Sequence, residues 1–269
     1  MSAASGRPAP MTGKVIFVSA GPGAADLITL RGARALGQAD IVLADALADP
    51  ALRDLAPQAR WISVGKRGFE HSAKQTEINA LLVKAAREHA LVVRLKGGDA
   101  SIFGRLEEEL SALAHAGIAS EVVPGVTAAL AAAAQAQRPL TRRGRGRSVS
   151  LTTAMTEAGE LRAARSADTE VFYMAGRQLA ALGRQLLAAG WASDTPTVVV
   201  SRAGCADAIT SEHPLAELAR AALLHRGRPT VVTVGTGASV VGDHDLPQAV
   251  SNKIAVSPAE APPTTQSCS

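Results

Sequence analysis

The sequence predicts an α/β fold, and three observations carry that prediction. The stretch from Leu91 to Glu109 begins as an apolar, β-branched run, breaks at Gly97-Gly98-Asp99 and resumes with Glu107-Glu108-Glu109 at the head of a helix. Strand, glycine loop and helix in that order mark where open α/β sheets bind ligands. Glycine permits positive φ and close backbone approach, and acidic residues suit a helix N-terminus. Along the rest of the chain, short Val- and Ile-rich runs alternate with segments of helical spacing. Finally, 47% of the 269 residues are hydrophobic but only 3% aromatic, which suits a core of Val, Leu, Ile and Ala. Taken alone, the Gly-Gly-Asp loop is equally compatible with a tight turn, so its neighbours must decide.

Lys14 to Ala20 is the first predicted strand, followed by the turn Gly21-Pro22-Gly23 and a helix over Asp26 to Leu36. Ile41 to Asp45 is a second strand that ends on a carboxylate, and Trp61 to Val64 a third. The glycine turn lacks the third glycine of a dinucleotide fingerprint, which argues against a dehydrogenase. Gln75 to His89 places Ile78, Leu81, Leu82 and Ala85 on one helical face. After the central strand and loop come a helix over Glu107 to Ala116, a glycine stop at Gly117 and a strand over Ser120 to Val123. An Ala-rich helix then runs to about Gln137.

The segment 141–147 is basic and glycine-spaced, without periodicity, and reads as a loop between two α/β halves. The second half predicts strands over Ser148 to Thr153, Glu170 to Met174, Thr197 to Ser201 and Thr230 to Val234. Its helices are Leu179 to Ala189 and Leu215 to Leu224. The expected organisation is a disordered extension 1–12, a domain 13–140, the basic loop 141–147, a domain 148–241 and a disordered tail 242–269.

The net charge of +4 with a pI near 9.4 favours an acidic partner without arguing for nucleic acid. Cys205 and Cys268 match no metal or disulfide framework, which points to a cytoplasmic setting and no metal. No apolar run approaches the roughly 20 residues of a membrane span.

Together these residues resemble the uroporphyrinogen-III C-methyltransferases within the tetrapyrrole methylases. The shared motifs are Gly21-Pro22-Gly23, the strand ending at Asp45, Val64-Gly65-Lys66-Arg67, His71-Ser72 and Gln75-Thr76-Glu77-Ile78-Asn79. They continue with Arg94 to Asp99, Ile102-Phe103-Gly104-Arg105, Val123 to Ala128, Pro139-Leu140-Thr141 and Tyr173-Met174. The resemblance spans Val15 to Gly235, and its most specific part is Lys66 to Arg105. It implies two α/β domains, each a mixed sheet flanked by helices, with a cleft between them for S-adenosylmethionine. It also implies a homodimer that methylates two carbons of an octa-acidic tetrapyrrole, giving precorrin-2 for siroheme, cobalamin or haem d1.

By the same resemblance, Pro22, Gly97, Gly98, Asp99, Ile102, Thr127, Ala128, Met174 and Ala203 line the cofactor cleft. Taken alone, Met174 is equally a core filler and Thr127 equally a helix N-cap. Asp45 is the candidate for proton handling and Lys66 its matching acid or carboxylate anchor. Arg105 and Arg143 are candidates for forked pairing with substrate carboxylates. A helix N-cap for Asp45 and a solvated charge for Lys66 are the bland alternatives. His71 is expected to make local hydrogen bonds.

This chain departs from the family pattern at Ala44-Asp45-Ala46, at Ala100 where proline is usual, at Leu106-Glu107-Glu108 and at Thr141-Arg142-Arg143. These departures are expected to fall where the tetrapyrrole lies. They leave open methylation of another corrinoid intermediate, or a cofactor-binding paralogue with weakened catalysis. An RNA-methylating relative would suit the basic charge, but the sparse aromatics offer few stacking platforms.

Overall fold

The computed structural model describes residues 13–65, 75–154 and 163–242. Lys66, His71, the expected extension 1–12 and all but Gly242 of the expected tail 242–269 lie outside them. Residues through Ser239 belong to one compact unit, and Val240–Ser269 form a second.

The first half builds a sheet from β1 (Lys14–Ser19), β2 (Ile41–Ala44), β3 (Arg60–Ser63), β4 (Leu91–Lys96) and β5 (Ser120–Val123). Their order is β3-β2-β4-β1-β5. Every pairing is parallel, so this sheet is not mixed in the way the resemblance implies. The reason lies in the crossovers, each of which returns the chain to the same end of the sheet before the next strand starts. Such a sheet is covered on both sides, and the strands read accordingly. Ile16, Val18, Val42, Val93 and Leu95 pack on one face with Leu36 of α1 (Leu30–Leu36). The alternate residues Val15, Phe17, Ile41, Leu43 and Val92 pack on the other. There they meet Ile78 and Leu82 of α2 (Gln75–Glu88) and Leu113 of α3 (Leu106–His115).

The second half builds a mixed sheet from β6 (Val149–Thr153), β7 (Thr169–Tyr173), β8 (Pro196–Ser201), β9 (Ile209–Pro214) and β10 (Thr230–Gly235). Their order is β6-β7-β10-β8-β9, with only β6–β7 parallel. One face packs Phe172, Val199 and Val232 against Leu179, Leu182 and Leu186 of α5 (Leu179–Ala188). The other face receives α4 (Ala128–Gln135), the helix that follows the last strand of the first sheet. Ala129, Ala131 and Ala132 meet Val171, Tyr173, Val198 and Val200 there, and side chains this small let helix and sheet approach closely.

Some local structure differs from the sequence reading. The helix expected from Asp26 begins at Leu30, because Thr29 caps it through Gly32 N–H at 3.1 Å and a 3₁₀ turn precedes it. The helix expected over Leu215 to Leu224 is a 3₁₀ helix over Leu215–Ala222. Strand β9 is unforeseen, since Ile-Thr-Ser-Glu-His-Pro is polar and pairs only at the sheet edge. The basic loop is a short hairpin in which Arg142 and Gly146 exchange both backbone hydrogen bonds, at 2.7 and 2.9 Å.

Tyr173 clasps α4 to the second sheet. Its hydroxyl bonds Thr127 Oγ1 at 2.6 Å and accepts the Ala129 N–H at 3.3 Å. Thr127 holds the N-cap position, but its hydroxyl turns to Tyr173 and makes no cap of its own. Tyr173→Phe leaves two buried polar groups short of a partner, so it is expected to cost about 1–3 kcal/mol in urea unfolding. An unchanged midpoint would contradict this clasp.

Candidate active site

The loops that leave the carboxyl ends of β1, β4 and β5 are tied into one surface. Gly21 and Gly98 exchange backbone hydrogen bonds at 3.1 and 2.9 Å. Asp99 accepts from Gly125 N–H at 2.7 Å and Ser101 N–H at 2.8 Å, one on each carboxylate oxygen. Ala100 N–H donates to Ser19 Oγ at 3.0 Å. Ala100 is fully buried, which corrects the expectation that this departure faces substrate. The proline usual there has no N–H to give, so the alanine adds a strut beneath the loop. Ala46 likewise packs on Gly65, where an added Cβ would lie 2.5 Å from Ala46 N.

The turn Gly21-Pro22-Gly23 interlocks with the turn that leaves β8. Ala24 N–H donates to Gly204 O at 2.9 Å, and a Cβ on Gly204 would lie 2.0 Å from Pro22 O. Pro22 is buried in this joint. Gly98 behaves differently. Its φ is +67°, and a Cβ built on it meets nothing within 4 Å, so its backbone faces open space. A ligand needing close backbone approach fits that bare edge.

Of the five described non-glycine residues in the left-handed region, four lie in the loops after β4, β7 and β8. Phe103, Arg105, Met174 and Arg202 all have φ between 52° and 57°, a conformation that costs about 1–2 kcal/mol each. Strain of this kind persists where surrounding structure enforces it, and it clusters at functional sites. Phe103 meets Tyr173 edge-on with ring centroids 5.0 Å apart. Met174 is 54% exposed, which excludes the core-filling role. Ile102, Ala128 and Ala203 pack in the apolar cluster shared by α4 and the second sheet.

Behind Asp45 lies a buried ionic network that sequence reasoning missed. Arg94 on β4 donates through Nη2 to Asp45 Oδ1 at 2.6 Å, and through Nε and Nη2 to Glu109 Oε1 at 3.1 and 3.0 Å. Its Nη1 donates to the carbonyls of Leu43 and Leu95, both at 3.2 Å. Lys96 donates to Glu109 Oε2 at 3.0 Å. Arg94, Lys96 and Glu109 are all but fully buried, whereas the Asp45 side chain is 30% exposed. Burial, reinforced by the Arg94 charge, pulls Lys96 below its ordinary value, while Glu109 and Asp45 oppose the shift. Asp45 is therefore no helix cap. It is a partly exposed carboxylate held by an inward-facing guanidinium.

The remaining candidates are more scattered. Arg105 precedes α3 and forms a forked pair with Glu108 at 2.7 and 2.8 Å. Arg143 is exposed in the 142–146 hairpin and makes no hydrogen bond or ion pair among the described residues. The signal that pointed to the network was Val93-Arg94-Leu95-Lys96 itself, two cations inside an apolar strand. Among the described residues no group of His, Cys, Asp and Glu is arranged to hold a metal ion.

Comparison with known proteins places these features in context. The family model for tetrapyrrole (corrin/porphyrin) methylases matches residues 14–219. A uroporphyrinogen-III C-methyltransferase of Pseudomonas aeruginosa is 43% identical over 230 residues, covering 84% of this chain and 94% of that protein. Siroheme synthase 1 of Klebsiella pneumoniae is 47% identical over 202 residues, or 73% of this chain and 43% of that longer protein. A solved uroporphyrin-III C-methyltransferase from Thermus thermophilus, complexed with S-adenosylhomocysteine, superposes with a TM-score of 0.73 at 36% identity. It covers 83% of this chain and 97% of that one.

The ionic network makes an asymmetric prediction. Glu109→Ala leaves Arg94 and Lys96 without their shared partner and is expected to cost about 3–5 kcal/mol in denaturant unfolding. Lys96→Met keeps the Arg94–Glu109 pair and most of the packing, so it should cost less than about 2 kcal/mol. Equal losses, or none, would contradict the geometry.

Proposed function

This chain belongs to the tetrapyrrole (corrin/porphyrin) methylases, and from that membership we propose that it methylates uroporphyrinogen III at carbon to give precorrin-2. The observation that carries the reading is the 43% identity to a uroporphyrinogen-III C-methyltransferase along 94% of that protein's length. S-adenosylmethionine supplies the activated methyl group. The bare backbone at Gly98 and the turns at Pro22 and Ala203 would hold that donor, with Gly97, Ile102, Thr127 and Ala128 behind them. Asp99 would shape the loop. Exposed Met174 and Phe103 present apolar surface at the rim.

Asp45 would take the proton lost by the methylated ring carbon on Oδ2, the oxygen that Arg94 does not engage. Arg105 and Arg143 would pair with carboxylates of the acidic substrate, and Lys66, outside the described residues, would serve as anchor or acid. The same reading includes a homodimer in the cytoplasm and two domains, 13–140 and 148–241, that meet at the cleft. No described helix is long and apolar enough to cross a membrane. The product would feed siroheme, cobalamin or haem d1 synthesis. Incubation with S-adenosylmethionine and uroporphyrinogen III tests the activity, and it should yield a product two methyl groups heavier. An unmodified substrate would refute it.

Two predictions address the assigned residues. Gly98→Val puts side-chain bulk into the open space and should abolish S-adenosylhomocysteine binding in calorimetry. Gly117→Val has a matching φ of +68° and also meets nothing within 4 Å, so it supplies the same backbone strain after α3. It should bind as wild type does, and equal effects at the two positions would remove Gly98 from the site.

Asp45→Asn keeps the side-chain shape and should lower kcat more than it raises KM. Arg105→Lys and Arg143→Lys should lower kcat/KM by about tenfold or more while donor affinity holds. Wild-type turnover in all three variants would place the acidic substrate elsewhere.

A further inference from the structure

The second half contains a polar relay that the methylation chemistry does not use. His225 is fully buried beside the end of β8. Its Nδ1 lies 2.9 Å from Ser201 Oγ, and its Nε2 lies 2.9 Å from Ser211 Oγ on β9. Ser211 Oγ also lies 2.9 Å from His213 Nε2. Arg228 donates through Nε to Ser201 Oγ at 3.0 Å.

Arg228 can only donate, so it occupies one acceptor position of Ser201 Oγ. With His225 neutral, Ser201 can give its one proton to His225 Nδ1; the imidazole proton then sits on Nε2 facing Ser211, which donates in turn to His213. Arg228 does a second thing. Its Nη2 holds Asp207 through the main-chain carbonyl and through Oδ2 at 3.1 Å, and Asp207 Oδ1 accepts Arg202 Nε at 2.8 Å. Arg202 is the strained first residue of the turn that continues as Ala203-Gly204 and locks against Pro22.

We propose that neutral His225 is a positioning residue for the donor-binding turn 202–205, acting through Ser201 and Arg228. The proposal rests on the reading that this turn borders the S-adenosylmethionine site. The charged and titratable groups facing His225 are His213 from β9 and Arg228 from the turn before β10, with Asp207 beyond Arg228. Burial first, and then the His213 and Arg228 charges, hold His225 below the usual histidine value. A proton on Nδ1 turns that atom from acceptor to donor, so Ser201 Oγ then has to accept from both His225 and Arg228 and turn its own proton away. On this proposal the junction is set at neutral pH and loosens as pH falls below the ordinary histidine range.

The test is calorimetry of S-adenosylhomocysteine with the full chain from pH 5 to pH 8. His225→Asn keeps an acceptor near the Nδ1 position, whereas His225→Gln places its amide near Nε2 and loses that acceptor. Ser201→Ala breaks the junction from the strand side without touching the histidine. Wild type should weaken at acid pH. His225→Asn should bind within about threefold of wild type at pH 8 without the acid decline, and His225→Gln and Ser201→Ala should bind about tenfold more weakly. Thermal unfolding of each variant confirms that it is folded. Binding in wild type that is indifferent to pH and to all three substitutions would overturn the positioning role alone. A wild-type chain that binds no S-adenosylhomocysteine at any pH would overturn the donor site itself, and the role with it.

Discussion

The buried charges at the carboxyl end of the first sheet depend on one carboxylate. Glu109 is the only anion within reach of both Arg94 and Lys96 among the described ion pairs, and all three side chains are withdrawn from water. Withdrawing such charges costs several kcal/mol per ion unless partners and hydrogen bonds compensate. Here they do. Arg94 also donates to two main-chain carbonyls and to Asp45, and Gln75 Nε2 donates to Glu109 Oε1 at 3.2 Å. The network links β2, β4, α2 and α3, so it holds these elements and the direction of Asp45 together.

The glycine turns and the loops after β4, β7 and β8 are set by sterics and backbone strain. Gly23 and Gly204 admit no side chain where the two turns interlock, and Phe103, Arg105, Met174 and Arg202 are held at positive φ around the rim. A chain that keeps four such residues gives up several kcal/mol of stability, by about 1–2 kcal/mol at each. Rigid loops around an exposed edge are what alignment of donor and acceptor requires, since methyl transfer gains most from orientation.

The strands β1, β2 and β4 were legible because they are buried on both faces, and α2 because its apolar residues keep a helical period. Val15 to Val18 and Leu91 to Leu95 could hardly be anything else. The parallel order was not legible, since pairing is a long-range property. Strand β9 escaped because its polar residues meet only one neighbour. The residues of the candidate site were only partly visible in the sequence. The glycine turns announced themselves by composition, and Asp45 by its place at a strand end. Glu109 did not, because an acid in the first turn of α3 already had a sufficient explanation in the helix dipole. Its true partner lay 15 residues earlier, across a loop. Tyr173, the single tyrosine, was visible only as part of a motif, and its clasp on α4 needed coordinates.

If Asp45 takes the ring proton, Glu109 acts on that step through Arg94, which bonds both carboxylates. A double-mutant cycle on kcat with uroporphyrinogen III, using Asp45→Asn, Glu109→Gln and the pair, tests it most directly. If Glu109 acts through Asp45, the Glu109→Gln loss should largely vanish once Asp45 is already Asn, and the double variant should turn over like Asp45→Asn alone. Losses that multiply independently would contradict the account.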